Sequence, residues 1–298
     1  MSELSLFDER LKADFQSLTP QLQEAARWII DHPADVALLS LRQQARRAGI
    51  APATLTRLAQ RFGLHGYNSV RKLYADAVRE RPESYRGRAE ELLVRRDTEG
   101  DAALVRDIFA SLKLHAQTLS SPRAIERFTA AAGIIAAADR VFCLGLRSSF
   151  SVAYIFHYVR SLFGSSSVLV DGSGGSGIDV LRTVSGADIL LAVSVKPYAA
   201  HTVEAASFAK ARGAGVVALT DSEMSPLAAF ADEIILVGTD TPSFFHTMAP
   251  ACAAAECLAA LVAARRGPET LAALDESERQ LAAFGTYLIQ RSKRRRRK

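Results

Sequence analysis

Apolar residues at Leu18, Leu22, Ala25, Ala26, Ile29 and Ile30 recur at helical spacing, and Thr19-Pro20 offers a cap followed by proline at the first helical position. The pattern predicts a helix from Pro20 to Asp31, stopped by His32-Pro33. A short helix around Ala34 to Leu39 follows, then one over Leu41 to Ala48 with Ser40 as its N-cap. Gly49 then comes four residues after Ala45, and Leu55 ten residues after it, with Leu58 three beyond. This spacing is the skeleton of a helix-turn-helix. Two closely crossing helices need a small residue at their contact, the sharp turn favours a glycine at positive φ, and Leu55 and Leu58 turn the second helix inward. Its outer face is expected to offer Pro52, Ala53, Thr54, Thr56, Arg57, Gln60 and Arg61 to a DNA groove. Thr54, Thr56 and Arg57, at the N-terminal end, are candidates for base readout, whereas Arg46, Arg47, Arg61, Arg71 and Lys72 suit phosphates.

Beyond residue 80 the texture changes. Residues 81–103 are charge-rich and predict a hinge followed by a helix, and amphipathic helices are expected near Leu104 to Leu119 and Arg123 to Ala137. Short apolar runs then appear at Val141 to Leu146, Val168 to Val170, Ile189 to Val195, Val216 to Leu219 and Ile234 to Val237, each separated by a helix-sized segment. Continuous apolar strands alternating with helices imply a parallel sheet covered on both faces. The fold class is therefore α/β overall: an all-α helix-turn-helix domain (1–80), a linker (81–103), and a three-layer α/β domain with a five-stranded parallel sheet (104–290).

Ligands of such sheets bind beyond the carboxyl ends of the strands, so the residues that follow each run carry the chemistry. After the first strand stand Gly145, Arg147, Ser148 and Ser149, where a glycine allows a tight exit and a serine is expected to cap the next helix. After the third come Ser194, Lys196, Tyr198, His201 and Thr202, and after the fourth Thr220 and Asp221, with Ser225-Pro226 opening another helix. Three hydroxyl-bearing loops thus converge on one edge. The glycine-rich stretch Gly172 to Gly177 lacks the G-x-G-x-x-G order of a dinucleotide site and reads as a loop near the pocket. Ser243 to His246 precede an Ala-rich helix, Met248 to Ala264, whose small apolar face suits subunit packing.

Charge has to be dissected before it is read as nucleic-acid affinity. The net charge of +5 is carried by the last eight residues, RSKRRRRK, with seven positive charges; the remainder is slightly acidic. Residues 41 to 80, however, hold eight basic side chains against Asp76 and Glu80, a local footprint suited to phosphate backbone. The terminal run 291–298 repels itself and is expected to be a disordered basic tail adding sequence-independent attraction to DNA. No apolar stretch approaches a membrane span and the N-terminus has acids where a secretory signal would be basic, so a cytoplasmic protein is expected. Cys143, Cys252 and Cys257 have no metal-ligand spacing and read as buried packing thiols.

The segment LRQQARRAGIAPATLTRLAQRFGLHGYNSVRKL resembles the N-terminal domain of RpiR-family regulators, in which a glycine turn, an S-x-A-T-x-x-R segment and a closing G-[FY] run in this order. Gly49, Ala53, Thr54, Arg57, Gly63, Gly66 and Tyr67 match, and Ala51 stands where serine is usual. From Leu104 to Arg266 the chain resembles the sugar isomerase (SIS) domain that accompanies this motif, most clearly in ALTDSEMSPLAAFADEIILV. The resemblance implies a regulator that binds a double-stranded DNA operator under control of a sugar or sugar phosphate held by Ser148, Ser149 and Ser194. It also implies a homodimer or homotetramer, with no cofactor, metal or membrane partner. Arg147 replaces the second glycine of the family's G-x-G-x-S, and SVKPYAAHT replaces S-x-S-G-x-T. Either Arg147 or Lys196 now meets a phosphate, or the ligand has none. The alternative is an aldose-ketose isomerase on the same domain, with Glu204 or His201 as its base.

Overall fold

The computed structural model describes residues 3–80, 85–164, 166–172 and 176–288. The basic tail, the first residues of the linker and the middle of the glycine-rich stretch lie outside the described residues.

The N-terminal half is helical throughout: α1 (Glu3–Asp14), α2 (Pro20–Asp31), α3 (Pro33–Leu38), α4 (Leu41–Ala48), α5 (Pro52–Arg61) and α6 (Tyr67–Glu80). Helix α4 opens on a reciprocal cap, in which the Ser40 hydroxyl accepts from the Gln43 amide and the Gln43 side chain accepts from the Ser40 amide. It ends at Gly49, whose φ of 71° starts the turn into α5. Thr19 and Ala51 make no side-chain cap, so α2 and α5 rely on the proline at their first turn. The core joins Leu11, Phe15, Ile29, Ala45, Leu55, Leu58 and Tyr74. The fully buried Gln44 is satisfied within it, its amide donating to the carbonyls of Val36 (3.1 Å) and Leu39 (2.9 Å) while its oxygen accepts from the Tyr67 hydroxyl. Helix α1 carries little sequence signal, because its polar residues mask Phe7 and Leu11, which seat it together with Phe15 of the turn that follows.

The second half begins with α7 (Tyr85–Glu99), α8 (Asp101–Leu119) and α9 (Pro122–Ala136), the last capped by Ser121. It continues through β1 (Val141–Gly145), α10 (Phe150–Phe163), β2 (Ser167–Val170), β3 (Ile189–Val193), α11 (Ala200–Ala211), β4 (Gly215–Thr220), β5 (Glu233–Leu236), α12 (Ala249–Arg266) and α13 (Pro268–Ala283). The strands form one parallel sheet in the order β2-β1-β3-β4-β5, with Cys143 in register with Leu169 and Leu191. Strand residues alternate between two cores. Val141, Cys143, Leu191 and Val217 pack with α9, α10 and α12, whereas Phe142, Leu144, Leu190 and Val216 pack with α11.

Two expectations change here. The small face of the Ala-rich helix α12, with Ala251, Ala255, Leu258 and Val262, is buried inside the subunit's own core and is not a surface for another copy. Of the three thiols only Cys143 is buried, its pKa pushed up to about 12 by desolvation; Cys252 is half-buried and Cys257 exposed.

The turn into β3 is tied to the turn into β1 by a buried carboxylate. Asp188 accepts from Arg140 Nε (2.9 Å) and Nη2 (2.8 Å), and from the Ser185 amide and hydroxyl (2.8 Å each). These bonds, the Arg140 guanidinium first, hold its pKa below the ordinary 3.8. Replacement by Ala should cost about 2 to 3 kcal/mol at pH 7, because buried donors lose their acceptor. Because the folded carboxyl is the stronger acid, its contribution is present above the unfolded value and fades as pH falls through the folded one. Urea denaturation of parent and Asp188→Ala across pH should show the gap closing in acid.

Candidate functional site

A cavity of about 340 Å³ opens at the carboxyl edge of the sheet, between the exits of β1 and β3. The first exit is forced by sequence. A Cβ on Gly145 would lie 2.3 Å from the carbonyl oxygen of Ser149, so only glycine lets the chain fold back on itself there. Arg147 then takes φ 56°, the left-handed region that costs a non-glycine residue energy. Leu146, Arg147, Ser148 and Ser149 make one wall, and Ser194, Val195, Pro197 and Ala199 the opposite one. Ser194 Oγ accepts from the Ala199 amide at 3.0 Å, which curls the second loop and leaves the hydroxyl proton free to donate.

The third wall is aromatic, and no sequence signal marks it. Tyr85, the first residue of α7, stacks on Phe245 with ring centroids 5.6 Å apart, and Phe245 stacks on His246 at 4.1 Å. His246 Nε2 lies 2.9 Å from Ser148 Oγ, so this serine is engaged across the cavity and, like Ser149, does not cap a helix. Burial, with Arg88 adding to it, lowers the His246 pKa and favours the neutral ring. Among the described residues lining the cavity Arg147 carries a formal charge and no carboxylate is present. Such a wall suits a small anion with hydroxyl groups.

The structure separates the remaining sequence candidates from this cluster. Lys196 turns away from the cavity, donating from Nζ to the carbonyl of Ile30 at 3.0 Å. Tyr198 is half-buried beside Asp221, burial and then this carboxylate raising its phenol pKa, and the buried Thr220 hydroxyl lies 3.4 Å from Asp221 Oδ1. Thr202 is fully buried, with no hydrogen-bond partner for its hydroxyl among the described residues. His201 and Glu204, the proposed isomerase bases, pair with each other at 3.1 Å on the exposed side of α11, outside the cavity.

In the N-terminal half, Ala53, Arg57, Gln60 and Arg61 lie exposed on α5, and Arg46 and Lys72 are exposed beside it. Thr54 is not on that face. It is 2% exposed and its hydroxyl accepts from Arg57 Nη2 at 3.4 Å, because position 54 shares the inward side with Leu55 and Leu58. Thr56 is half-buried, bonded to the Pro52 carbonyl, and borders a second hollow with His65, Asn68 and Ser69. Arg47 is held by both carboxylate oxygens of Asp35 at 2.8 Å, and Arg61 reaches Ser17 at 3.5 Å. Among the described residues no helix is long and apolar enough to cross a membrane.

Comparison with known proteins agrees with both halves. Residues 134–261 match the SIS domain family. The HTH-type transcriptional regulator HexR of Pseudomonas aeruginosa is 26% identical over 229 residues, spanning 74% of each chain. The solved sugar isomerase domain of an RpiR transcription factor from Sphaerobacter thermophilus is 30% identical, with a TM-score of 0.53 over 59% of this chain and 97% of that one. The NanR protein of Vibrio vulnificus, solved in complex with ManNAc-6P, shares the fold at 18% identity and TM-score 0.53, across 93% of this chain and 99% of its own. With a helix-turn-helix half joined to a SIS half, the chain belongs to the RpiR family of HTH-type transcriptional regulators.

Proposed function

We propose that operator binding by this regulator is controlled by a sugar phosphate seated between the exits of β1 and β3. The observation that carries the reading is the cavity wall itself: among the described residues it holds one cation, Arg147, beside three serines, with no carboxylate. That the NanR relative binds ManNAc-6P agrees with it. The isomerase reading loses its base, since His201 and Glu204 lie outside the cavity. Thermal-shift screening of sugars paired with their phosphates, followed by calorimetric titration, tests the proposal. Phosphorylated members should bind and their parent sugars should bind much more weakly; equal affinity within each pair would remove Arg147 from the site.

The DNA face is proposed to be the outer side of α5, with Ala53, Arg57 and Gln60 toward base edges and Arg46, Arg61 and Lys72 toward phosphates. Thr56 stays a candidate at its rim. Arg57→Ala should cost about 1 to 3 kcal/mol at the operator and less on random duplex, whereas Lys72→Ala should weaken both alike and flatten the salt slope. Gel shifts at several salt concentrations read the difference. The regulator is further proposed to act as a homo-oligomer, in keeping with the exposed apolar Leu93, Val94, Val105 and Phe109 on α7 and α8.

A further inference from the structure

The loop after β3 has two faces. Ser194, Val195, Pro197 and Ala199 border the cavity, but Lys196 between them reaches the opposite way, into the N-terminal half. Its ammonium donates to the Ile30 carbonyl in the last turn of α2, where helix carbonyls lack partners and the dipole favours a cation. Asp8 of α1 and Asp31 of α2 both feel the Lys196 charge. Asp221, at the exit of β4, accepts from the Lys196 backbone amide at 3.3 Å and so braces the loop from beneath. Three residues on, Met224 is 1% exposed and packs within the core of the N-terminal helices. Helix α2 in turn lies against α5, which carries the proposed DNA face.

We propose that the Ser194–Ala199 loop is an intramolecular latch: a ligand drawn against its cavity face withdraws Lys196 from α2 and releases the helix-turn-helix half from the sensor. The latch rests on the cavity reading above. Coupling of this kind is reciprocal, so freeing the latch by mutation must also be felt at the cavity without any ligand.

Hydrogen exchange of the full chain, read by mass spectrometry, tests the latch. The Lys196→Met variant keeps the stem and removes the donor, and the exposed position makes misfolding no concern. Without ligand it should exchange the amides of Trp28 to Asp31 about five- to tenfold faster than the parent, and should also alter exchange at residues 146–149. Met224→Ala, which loosens the same docking from the neighbouring loop, should reproduce the rise in α2. Parent protein with millimolar glucose 6-phosphate should show protection at 146–149 together with the rise in α2. Lys196→Met should keep the protection and show no further rise. The latch is overturned if Lys196→Met leaves α2 unchanged, if it loosens α2 without touching 146–149, or if the sugar phosphate protects the cavity of the parent while α2 stays as it was. Absence of protection at 146–149 in the parent would count against the cavity reading instead, and the two ligand-free comparisons would then decide the latch alone.

Discussion

Gly145→Val should abolish binding of any sugar phosphate to the sensor while leaving the helix-turn-helix able to bind DNA. The added Cβ would fall 2.3 Å from the backbone oxygen of Ser149, and a backbone atom cannot swing aside as a side-chain tip can. Either the β1 exit unfolds or the Arg147 to Ser149 turn moves outward, and in both cases Ser148 and Ser149 leave the wall they share with Arg147. Overpacking of this kind costs about 1 to 3 kcal/mol where the surroundings can yield, and more where they cannot. Calorimetry should therefore find affinity reduced beyond measurement, about 100-fold or more, with a urea midpoint lowered for the sensor half alone. The N-terminal core shares no residue with this turn, so gel shifts should show operator binding that no longer responds to ligand. Parental affinity in the variant would mean that the exit turn is not the rigid element described here.

Arg147→Gly should have two effects of opposite sign. Arg147 sits at φ 56°, a conformation costing an ordinary residue about 1 to 2 kcal/mol that glycine does not incur, so stability should rise by about 1 kcal/mol once glycine's greater unfolded-state freedom is subtracted. The same change deletes the formal charge on the cavity wall. Losing a charge-assisted hydrogen bond costs about 1.5 to 3 kcal/mol, so affinity for a phosphorylated ligand should fall roughly ten- to a hundredfold. The unphosphorylated sugar should be nearly unaffected. A general structural defect would lower both stability and affinity. Titration of the paired ligands beside a thermal melt separates the outcomes, and unchanged phosphate affinity with raised stability would make Arg147 a strained bystander.

Elements whose signals are local were legible in the chain. Helix α2 spans Pro20–Asp31 and α4 spans Leu41–Ala48, both as their periodicity and stop signals predict, and each strand overlaps its apolar run, with β2, β4 and β5 reaching one residue past it. Serine loops on one sheet edge were likewise visible, because parallel strands send every exit to the same side. What a side chain faces was less legible. Thr54 reads as an exposed helix position until the inward stripe is fixed by packing, and Lys196 reads as a pocket cation until α2 is found beside it. Tyr85 and Phe245 are far apart in sequence and meet only through the fold, so no spacing rule could have joined them at the cavity. His246 stands in the sequence only as a residue just ahead of α12; its bond to Ser148 spans 98 positions.

The place of Tyr85 bears on how such regulators can be recombined. Composition puts the seam between the halves at the end of the charged stretch, near residue 103, and a designer exchanging sensors would be inclined to cut there. That cut would graft the recipient's α7, and with it Tyr85, onto a foreign cavity whose counterpart of Phe245 has a different shape. A chimera joined ahead of Tyr85 instead keeps the aromatic wall with the sensor that shaped it, and leaves the Lys196 and Met224 contacts among those to be matched across the joint.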